Sequence, residues 1–518
     1  MESRTLAAVD VGTNSVHVVV ARVHGHDTDV HFEILTRSKE MVRLGAGAGD
    51  MKELSTEAID RAVAALARCR AIAAGEGAEL RVVATSAVRE ALNRDELLDR
   101  AEEAGVRVEV ITGAEEARLI HLGVLQSVPA YDRRMLVVDI GGGSTELVIA
   151  DGDDLRVARS LKLGAIRMTT RFFGGTILHP GAMDAARRHV RASLTPFLNA
   201  ARDEEFDLAI GSSGTIEALA AIELARTGEA LPRTMGNQRL TSAGLAETVG
   251  RLEAAARAGV VAELDGLEEK RADIILGGAV VLQGVLDALE VDEMTVSDTA
   301  LREGVLLDTV LRTEGGTLDH LADLRRRSVE HLLVDCDDDP AHARHVGALA
   351  IDLFDATADL HGLGGREREL LEAGALLANV GLVVSHDRHH HHSYYVIRNS
   401  DRLSGFTDDE VELIALVARY HRKSAPKQTH EPFAQLSEAD QHVVRILAGI
   451  LRVAVSLDRS RQQAIRSIGA EWDAKRLRVS CRYEPDSDVE LDLYTAGQRT
   501  SLLSRCVDRR VKLTATAT

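Results

Sequence analysis

The stretch VVDIGGGSTELVIA, residues 137–150, decides the fold. Apolar and β-branched residues lie on both sides of Gly141, Gly142 and Gly143, which reads as two short strands joined by a tight turn. Asp139 precedes the glycines and Glu146 follows them. The stretch AVDVGTNSVHVVVA, residues 8–21, has nearly the same shape. The two copies share an aspartate, Asp10 and Asp139, whereas Glu146 is matched by His17. A glycine-rich turn lets backbone N–H groups approach an anion closely, because no Cβ stands in the way. Thr13, Asn14 and Ser15 would do this in the first copy, and Gly141, Gly142, Gly143, Ser144 and Thr145 in the second. Two such turns face to face would grip a phosphate from both sides. Asp10 and Asp139, at the ends of the preceding strands, would hold a divalent cation directly or through water. One such turn would be no more than a glycine-containing hairpin; two matched copies, each followed by an apolar strand, favour phosphate.

Working outward, LAAVDV, VHVVVARV and VHFEIL read as three strands, residues 55–76 as an amphipathic helix, and RVVATSAVRE as a strand running into a helix. VRVEVIT is a further strand and GAEEARLIHLGVLQ a helix. The pattern then restarts. MLVVDIGGGSTELVIADGDDLRVARSLKLG gives three strands, FDLAIGSSGTIEALAAIEL a strand, turn and helix, and residues 273–311 a helix, short strand and helix. The expected fold class is α/β, with two similar lobes at 1–126 and 127–311. From 315 the spacing becomes helical, and an all-α domain is expected over 315–460. In the tail, 461–518, AIRSIGA, RLRVSCRY and DVELDLY alternate apolar and polar residues, which predicts three strands of a small α+β subdomain.

The chain has 518 residues, a formal net charge of −19 and only 3% aromatic residues, which together argue against a general nucleic-acid binder. Its four cysteines form no CxxC pair, so neither a zinc cage nor a disulfide framework is expected. The N-terminus enters a strand almost at once and no apolar run is long enough to span a bilayer. A cytoplasmic protein with no nucleic-acid or membrane partner is the expectation.

Six segments together carry a family resemblance: AAVDVGTNSVHVVVAR (7–22), RVVATSAVREALN (81–93), ITGAEEARLIHLGV (111–124), VVDIGGGSTELVIA, AIGSSGTIEAL (209–219) and VSDTALREGVL (296–306). The sequence resembles the exopolyphosphatase/guanosine pentaphosphate phosphohydrolase (Ppx/GppA) family, of the superfamily of actin, sugar kinases and heat-shock chaperone ATPases. The resemblance implies actin-like, ribonuclease H-like lobes. It implies that Glu116, the second glutamate of EEAR, is the base that activates water, with Glu115 serving only the helix N-terminus. It makes Asp139 and Glu146 a metal and water-positioning pair, and Arg89 a phosphate contact, for which a guanidinium fork is suited. Gly211, Ser212, Ser213 and Gly214 become the nucleotide-side loop, touching substrate phosphates or packing the second lobe. The implied cofactor is Mg2+, or Mn2+ in its place, with stimulation by K+. The implied activity is release of terminal orthophosphate from inorganic polyphosphate, with guanosine pentaphosphate (pppGpp) hydrolysis as the alternative. A kinase-like enzyme and a non-catalytic polyphosphate sensor are weaker readings, and a homodimer is the expected assembly.

The helical part resembles the HD phosphohydrolase fold, but Ala378 and Asn379 stand where the His-Asp pair would be and Val455 where a later Asp would be, although Asp458 remains. The resemblance therefore implies a degenerate module without its own hydrolysis. DRHHHHSYYV (387–396) invites a metal reading, yet four adjacent helical residues point in different directions and cannot share one ion. Positive charge remains: Arg388, His389, Arg398, Arg419, His421, Arg422 and Lys423 are the expected polyphosphate track, with Arg402 and Lys427 beside them.

Overall fold

The computed structural model describes the chain except residues 1–3, 25–29, 46–51, 128–132, 153, 175–177, 230, 233, 314–317, 401–402, 404–405, 486 and 518. Asp153 and Arg402 lie outside the described residues. Contacts divide the chain into two compact units, Met1–Leu321 and Ala322–Thr518.

The first unit carries two sheets on one plan. β1 (Thr5–Val11), β2 (Ser15–His24), β3 (His31–Met41), β4 (Glu79–Ala84) and β5 (Glu109–Val110) lie in the order β3-β2-β1-β4-β5. β1, β2 and β3 pair antiparallel, while β4 runs parallel to β1 because the helix Thr56–Gly75 forms the crossover. Ser55 caps that helix by accepting from Ala58 N–H at 3.2 Å. Ala58, Ile59, Ala62, Ala65, Leu66 and Cys69 form its buried stripe, in one apolar cluster with Val9, Val18 and Val82 of the sheet.

The second sheet repeats the frame. β6 (Arg134–Ile140), β7 (Thr145–Asp151), β8 (Asp154–Leu161), β9 (Leu208–Ser212), β10 (Arg239–Thr241) and β11 (Glu293–Val296) lie in the order β10-β11-β9-β6-β7-β8. β6, β7 and β8 match β1, β2 and β3, β9 and β11 match β4 and β5, and β10 is an added edge. This is the ribonuclease H-like lobe, present twice. β6 and β7 are buried almost throughout, which is why their sequences read as continuous apolar runs. The register sets Asp10 opposite His17 and Asp139 opposite Glu146.

Two helices, Gly113–Leu125 and Leu301–Thr313, cross with their backbones in contact. A Cβ on Gly123 would stand 1.8 Å from the Ala300 carbonyl oxygen, and one on Gly304 1.7 Å from that of Leu119. A buried ion network pins the same crossing. Arg118 donates twice to Glu115, at 2.7 and 2.6 Å, and to Asp308 at 2.6 Å, while Arg81 donates to the other Asp308 oxygen at 2.6 Å. Glu115 is thus a buried anchor, not merely an acid favoured at a helix N-terminus; only the packing of the two helices reveals the difference.

In the second unit a helical layer and a three-stranded sheet share one apolar core. β12 (Ile465–Trp472), β13 (Arg476–Tyr483) and β14 (Arg510–Ala517) lie in that order, β13 antiparallel to β12 and parallel to β14. The segment DVELDLY is not a strand: Glu490–Gly497 is a helix. Val489, Asp492 and Ala496 are buried at helical spacing, whereas Leu491 and Tyr494 are exposed. Asp492 accepts from the backbone N–H and the hydroxyl of Ser460 at 2.7 and 2.9 Å. A buried, bonded carboxylate counted as a polar position in the alternation and made the helix read as a strand. All four cysteines are free, and no helix among the described residues is long and apolar enough to cross a membrane.

Candidate active site

The two turns close in the same way: Gly12 N–H donates to Ser15 O at 3.1 Å, and Gly141 N–H to Ser144 O at 2.9 Å. Their carbonyls are held from outside. Thr13 O accepts from Gly45 N–H, and Asn14 O from Val42 and Arg43 N–H. Gly141 O accepts from Ala165 N–H and Gly142 O from Ile166 N–H, both at 2.9 Å. The turns also meet each other. A Cβ on Gly142 would lie 3.1 Å from Thr13 Cβ, and one on Gly143 2.7 Å from both Thr13 Oγ1 and Ser86 Oγ. A side chain at position 143 would require the Thr13 and Ser86 hydroxyls to move.

Four carboxylates gather behind the turns. Asp139, at the end of β6, accepts from Ser212 Oγ at 2.6 Å. Glu146 accepts from Ser160 Oγ, also at 2.6 Å, because β7 and β8 place the two residues opposite each other. Glu116 enters from the first turn of helix Gly113–Leu125, which Thr112 caps, and accepts from Arg89 at 2.9 Å. Asp10 Oδ1 is buried and has no hydrogen-bond partner. Burial pushes the Asp10 carboxyl up to about 7, against the pull of Arg302 and with the help of the Glu116 and Asp139 charges. Burial likewise pushes Asp139 up to about 6, although the Ser212 hydrogen bond opposes it. Glu146 is raised well above the usual range by burial and then by Glu116 and Asp139. Burial raises Glu116 too, and Arg89 counters it. Such a cluster favours its protonated form until a positive charge compensates it.

Not every expected contact is free to serve. Thr145 is fully buried and its hydroxyl donates to Leu163 O, so it braces the hairpin. Ser212 is spent on Asp139. Gly211 packs tightly on Ile216 and Met294, because it lies within β9 rather than at its end. Ser213, at φ 92°, caps helix Gly214–Thr227 with its Oγ buried and without a partner, and the Arg271 guanidinium covers Gly214. Arg89 is no surface helix residue: it donates to Ile111 O at 2.8 Å as well as to Glu116.

Other residues of the site were given no role by the sequence reading. Glu90, beside Arg89, accepts from Arg167 at 2.9 Å, Lys162 at 2.7 Å and Ser86 at 3.1 Å. Lys39 on β3 is lowered to about 8 by burial and by Arg271 and Arg302. His17, bonded to Ser15 at 2.8 Å and to Arg302, is lowered to about 2 by burial and then Arg302, and stays neutral. Of these, only His17 had a signal in the sequence, as the counterpart of Glu146 in the first hairpin.

In the second unit, Asp458 Oδ2 meets His342 Nδ1 at 2.7 Å and Oδ1 accepts from Gln463 N–H, so the carboxylate is committed. The expected track divides. Arg398 is paired with Asp408 at 2.7 Å and Glu412 at 2.8 Å, and its charge is neutralised. His389 and His421 are buried; burial lowers both, His421 to about 3, so neither adds positive charge. Arg388, Arg419 and Lys423 do line one cavity of about 340 Å3, with His391 and His430. Arg422 lies beside His389, at 3.1 Å from its Nδ1.

The chain matches the model of the Ppx/GppA phosphatase family over residues 18–313 and that of its domain III over 324–491. It is 30% identical over 505 residues to the guanosine-5'-triphosphate,3'-diphosphate pyrophosphatase of Vibrio vulnificus, covering 94% of this chain and 95% of that protein. Among solved structures it resembles an exopolyphosphatase from Cytophaga hutchinsonii, with 29% identity and a TM-score of 0.54 over 59% of this chain and 98% of that one. It also resembles the Aquifex aeolicus member of the Ppx/GppA family, with 28% identity and a TM-score of 0.52 over 60% and 99%. With the repeated lobes and their facing turns, these matches place the chain in the Ppx/GppA phosphatase family.

Proposed function

We propose that this chain hydrolyses terminal phosphoanhydride bonds, releasing orthophosphate from inorganic polyphosphate. The observation that carries the reading is the pairing of two facing turns with a buried glutamate held by an arginine. Backbone N–H groups of the turns bind the terminal phosphoryl oxygens, and Arg89 steadies both Glu116 and the entering phosphate. Glu116 takes a proton from water as the water oxygen bonds to phosphorus. The bridging P–O bond breaks, and the shortened chain leaves with the bonding electrons. Burial raises Glu116 above its ordinary range, which makes its ionised carboxylate a stronger base, while Arg89 favours the ionised form.

The carboxylates fit a divalent cation. Asp10 Oδ1 is orphaned and buried beside Asp139, and both carboxyls are raised, as expected where a compensating charge is missing. Among the described residues, no three His, Cys, Asp or Glu side chains form a cage by themselves. That arrangement suits Mg2+, which is held by one or two carboxylates together with substrate oxygens and water. Asp10 and Asp139 would hold it, with Glu146 reaching it through water, and when bound it would neutralise phosphoryl charge. Mn2+ would suit the same oxygen donors, and stimulation by K+ belongs in the same assays.

A second reading is removal of the 5'-terminal phosphate of pppGpp, by the same chemistry. It is supported by similarity to the Vibrio vulnificus protein along nearly the whole chain. In the second unit, the cavity lined by Arg388, Arg419 and Lys423 supports a role in binding a polyanion. Measuring kcat/KM for polyphosphate, pppGpp and ATP side by side tests the reading. A dominant polyphosphate value supports it, comparable values on the first two make the enzyme bifunctional, and ATP turnover exceeding both would sink it.

A further inference from the structure

Arg167 is buried behind the glycine turn and plays no part in the chemistry above. Its Nε donates to the Gly143 carbonyl at 2.8 Å, and a terminal nitrogen donates to Glu90 Oε1 at 2.9 Å. The main-chain N–H groups around it already hold the two preceding carbonyls. Ala165 N–H takes Gly141 O, while Ile166 and Arg167 N–H take Gly142 O. The three successive glycine carbonyls therefore all point toward the helix Ala165–Met168. In a trans peptide the C=O of one residue and the N–H of the next point in opposite directions. The N–H groups of Gly142, Gly143 and Ser144 accordingly point away from that helix, and no acceptor among the described residues takes them.

The three peptide planes are not held alike. The Gly141–Gly142 and Gly142–Gly143 planes are fixed by main-chain bonds that most residues could supply. The Gly143–Ser144 plane is fixed by a side chain. Glycine has access to nearly all of φ/ψ space, so this plane is the one free to turn over if its anchor is removed. The anchor is itself held: Glu90 lies in the short helix Ser86–Glu90 of the first lobe and is also gripped by Lys162 and Ser86.

We propose that Arg167 is a positioning residue, which fixes the Gly143–Ser144 peptide so that Ser144 N–H donates to the charge developing on the transferred phosphoryl group. The inference rests on the phosphoryl-transfer reading above. A guanidinium suits the task because its rigid fork donates to two acceptors in one plane from two separate nitrogens; a lysine carries the charge but lacks that fixed geometry. The donor matters most where charge grows in the transition state, so its loss affects kcat more than KM.

The test compares wild type with Arg167→Met, Arg167→Lys and Glu90→Gln in the full chain. It measures kcat and KM on polyphosphate, and binding of orthovanadate and of orthophosphate, with melting temperature as a control. Arg167→Met is expected to lower kcat about 100-fold, the usual effect of losing one oxyanion donor, with KM little changed. Orthovanadate should weaken far more than orthophosphate, a difference that a purely structural role would not produce. Arg167→Lys should recover little of the loss, and Glu90→Gln should cost less than Arg167→Met. If Arg167→Met does not fold, Arg167→Lys carries the same comparison. A variant that keeps kcat within a few-fold of wild type, or that weakens both oxyanions equally, overturns the positioning role. A wild-type protein that neither hydrolyses polyphosphate nor binds orthovanadate instead overturns the phosphoryl-transfer reading itself.

Discussion

Two adjacent glutamates, Glu115 and Glu116, show how position within one helical turn divides labour. Glu115 points into the crossing of two helices and is bonded by Arg118, whereas Glu116 points to the carboxylate cluster and Arg89. Glu116→Gln keeps shape and volume but removes the basic oxygen. Steady-state assays should show kcat falling by roughly 10²- to 10⁴-fold, the usual contribution of a general base, while calorimetry still detects polyphosphate binding. Unchanged turnover would refute the assignment. Which of the two glutamates serves the site was legible only from the resemblance, because a helix start favours an acid at both positions. Arg167 carried no such signal: its partners are a main-chain oxygen and a residue 77 positions away.

Among the elements, the helix Gly113–Leu125 both delivers Glu116 and crosses helix Leu301–Thr313 at Gly123 and Gly304. Gly304→Ala would drive a Cβ into the Leu119 carbonyl, which cannot yield without moving the helix. Overpacking of this kind costs about 1–3 kcal/mol. Chemical denaturation should report that loss, and kcat should fall with it because Glu116 shifts. Gly250→Ala is the control. It lies in helix Ser242–Ala258 with open space around its Cβ, and should stabilise by up to about 1 kcal/mol without touching activity. The elements of the repeated lobes were readable because strand and helix periods differ and both copies obeyed them. The strand expected at DVELDLY failed because alternation counts a buried aspartate as exposed, and Asp492 is buried with its bonds satisfied by Ser460.

For the molecule as a whole, the buried carboxylates tie stability to pH. Asp10 and Asp139 have folded-state pKa values near 7 and 6, above the ordinary carboxylate range. Groups raised in this way favour the fold when protonated, and that contribution is lost as pH rises through their folded pKa. The metal-free protein should therefore melt at a lower temperature at pH 8 than at pH 5.5. Mg2+ should restore more at pH 8 than at pH 5.5, since more of these oxygens are ionised there. Asp10→Asn should flatten both the pH dependence and the Mg2+ response in thermal-shift measurements. A melting temperature indifferent to pH and Mg2+ would exclude these carboxylates as the ion's ligands.

The sequence by itself determined the repeated lobe, the two turns, the family and the segments that carry the site. Those properties are local: they rest on strand and helix periodicity, on where glycine permits a close turn, and on short motifs read in place. Tertiary structure alone decided which side chains are free to act. It tied Thr145 to the Leu163 carbonyl and Ser212 to Asp139, gave Arg398 carboxylate partners, and left His389 and His421 buried and uncharged. It also turned three glycine carbonyls to one side and set Arg167 behind the last of them. The physical reason is that charge state and hydrogen-bond availability depend on burial and on partners far away in the chain. Spacing along the sequence reports neither until the faces have packed.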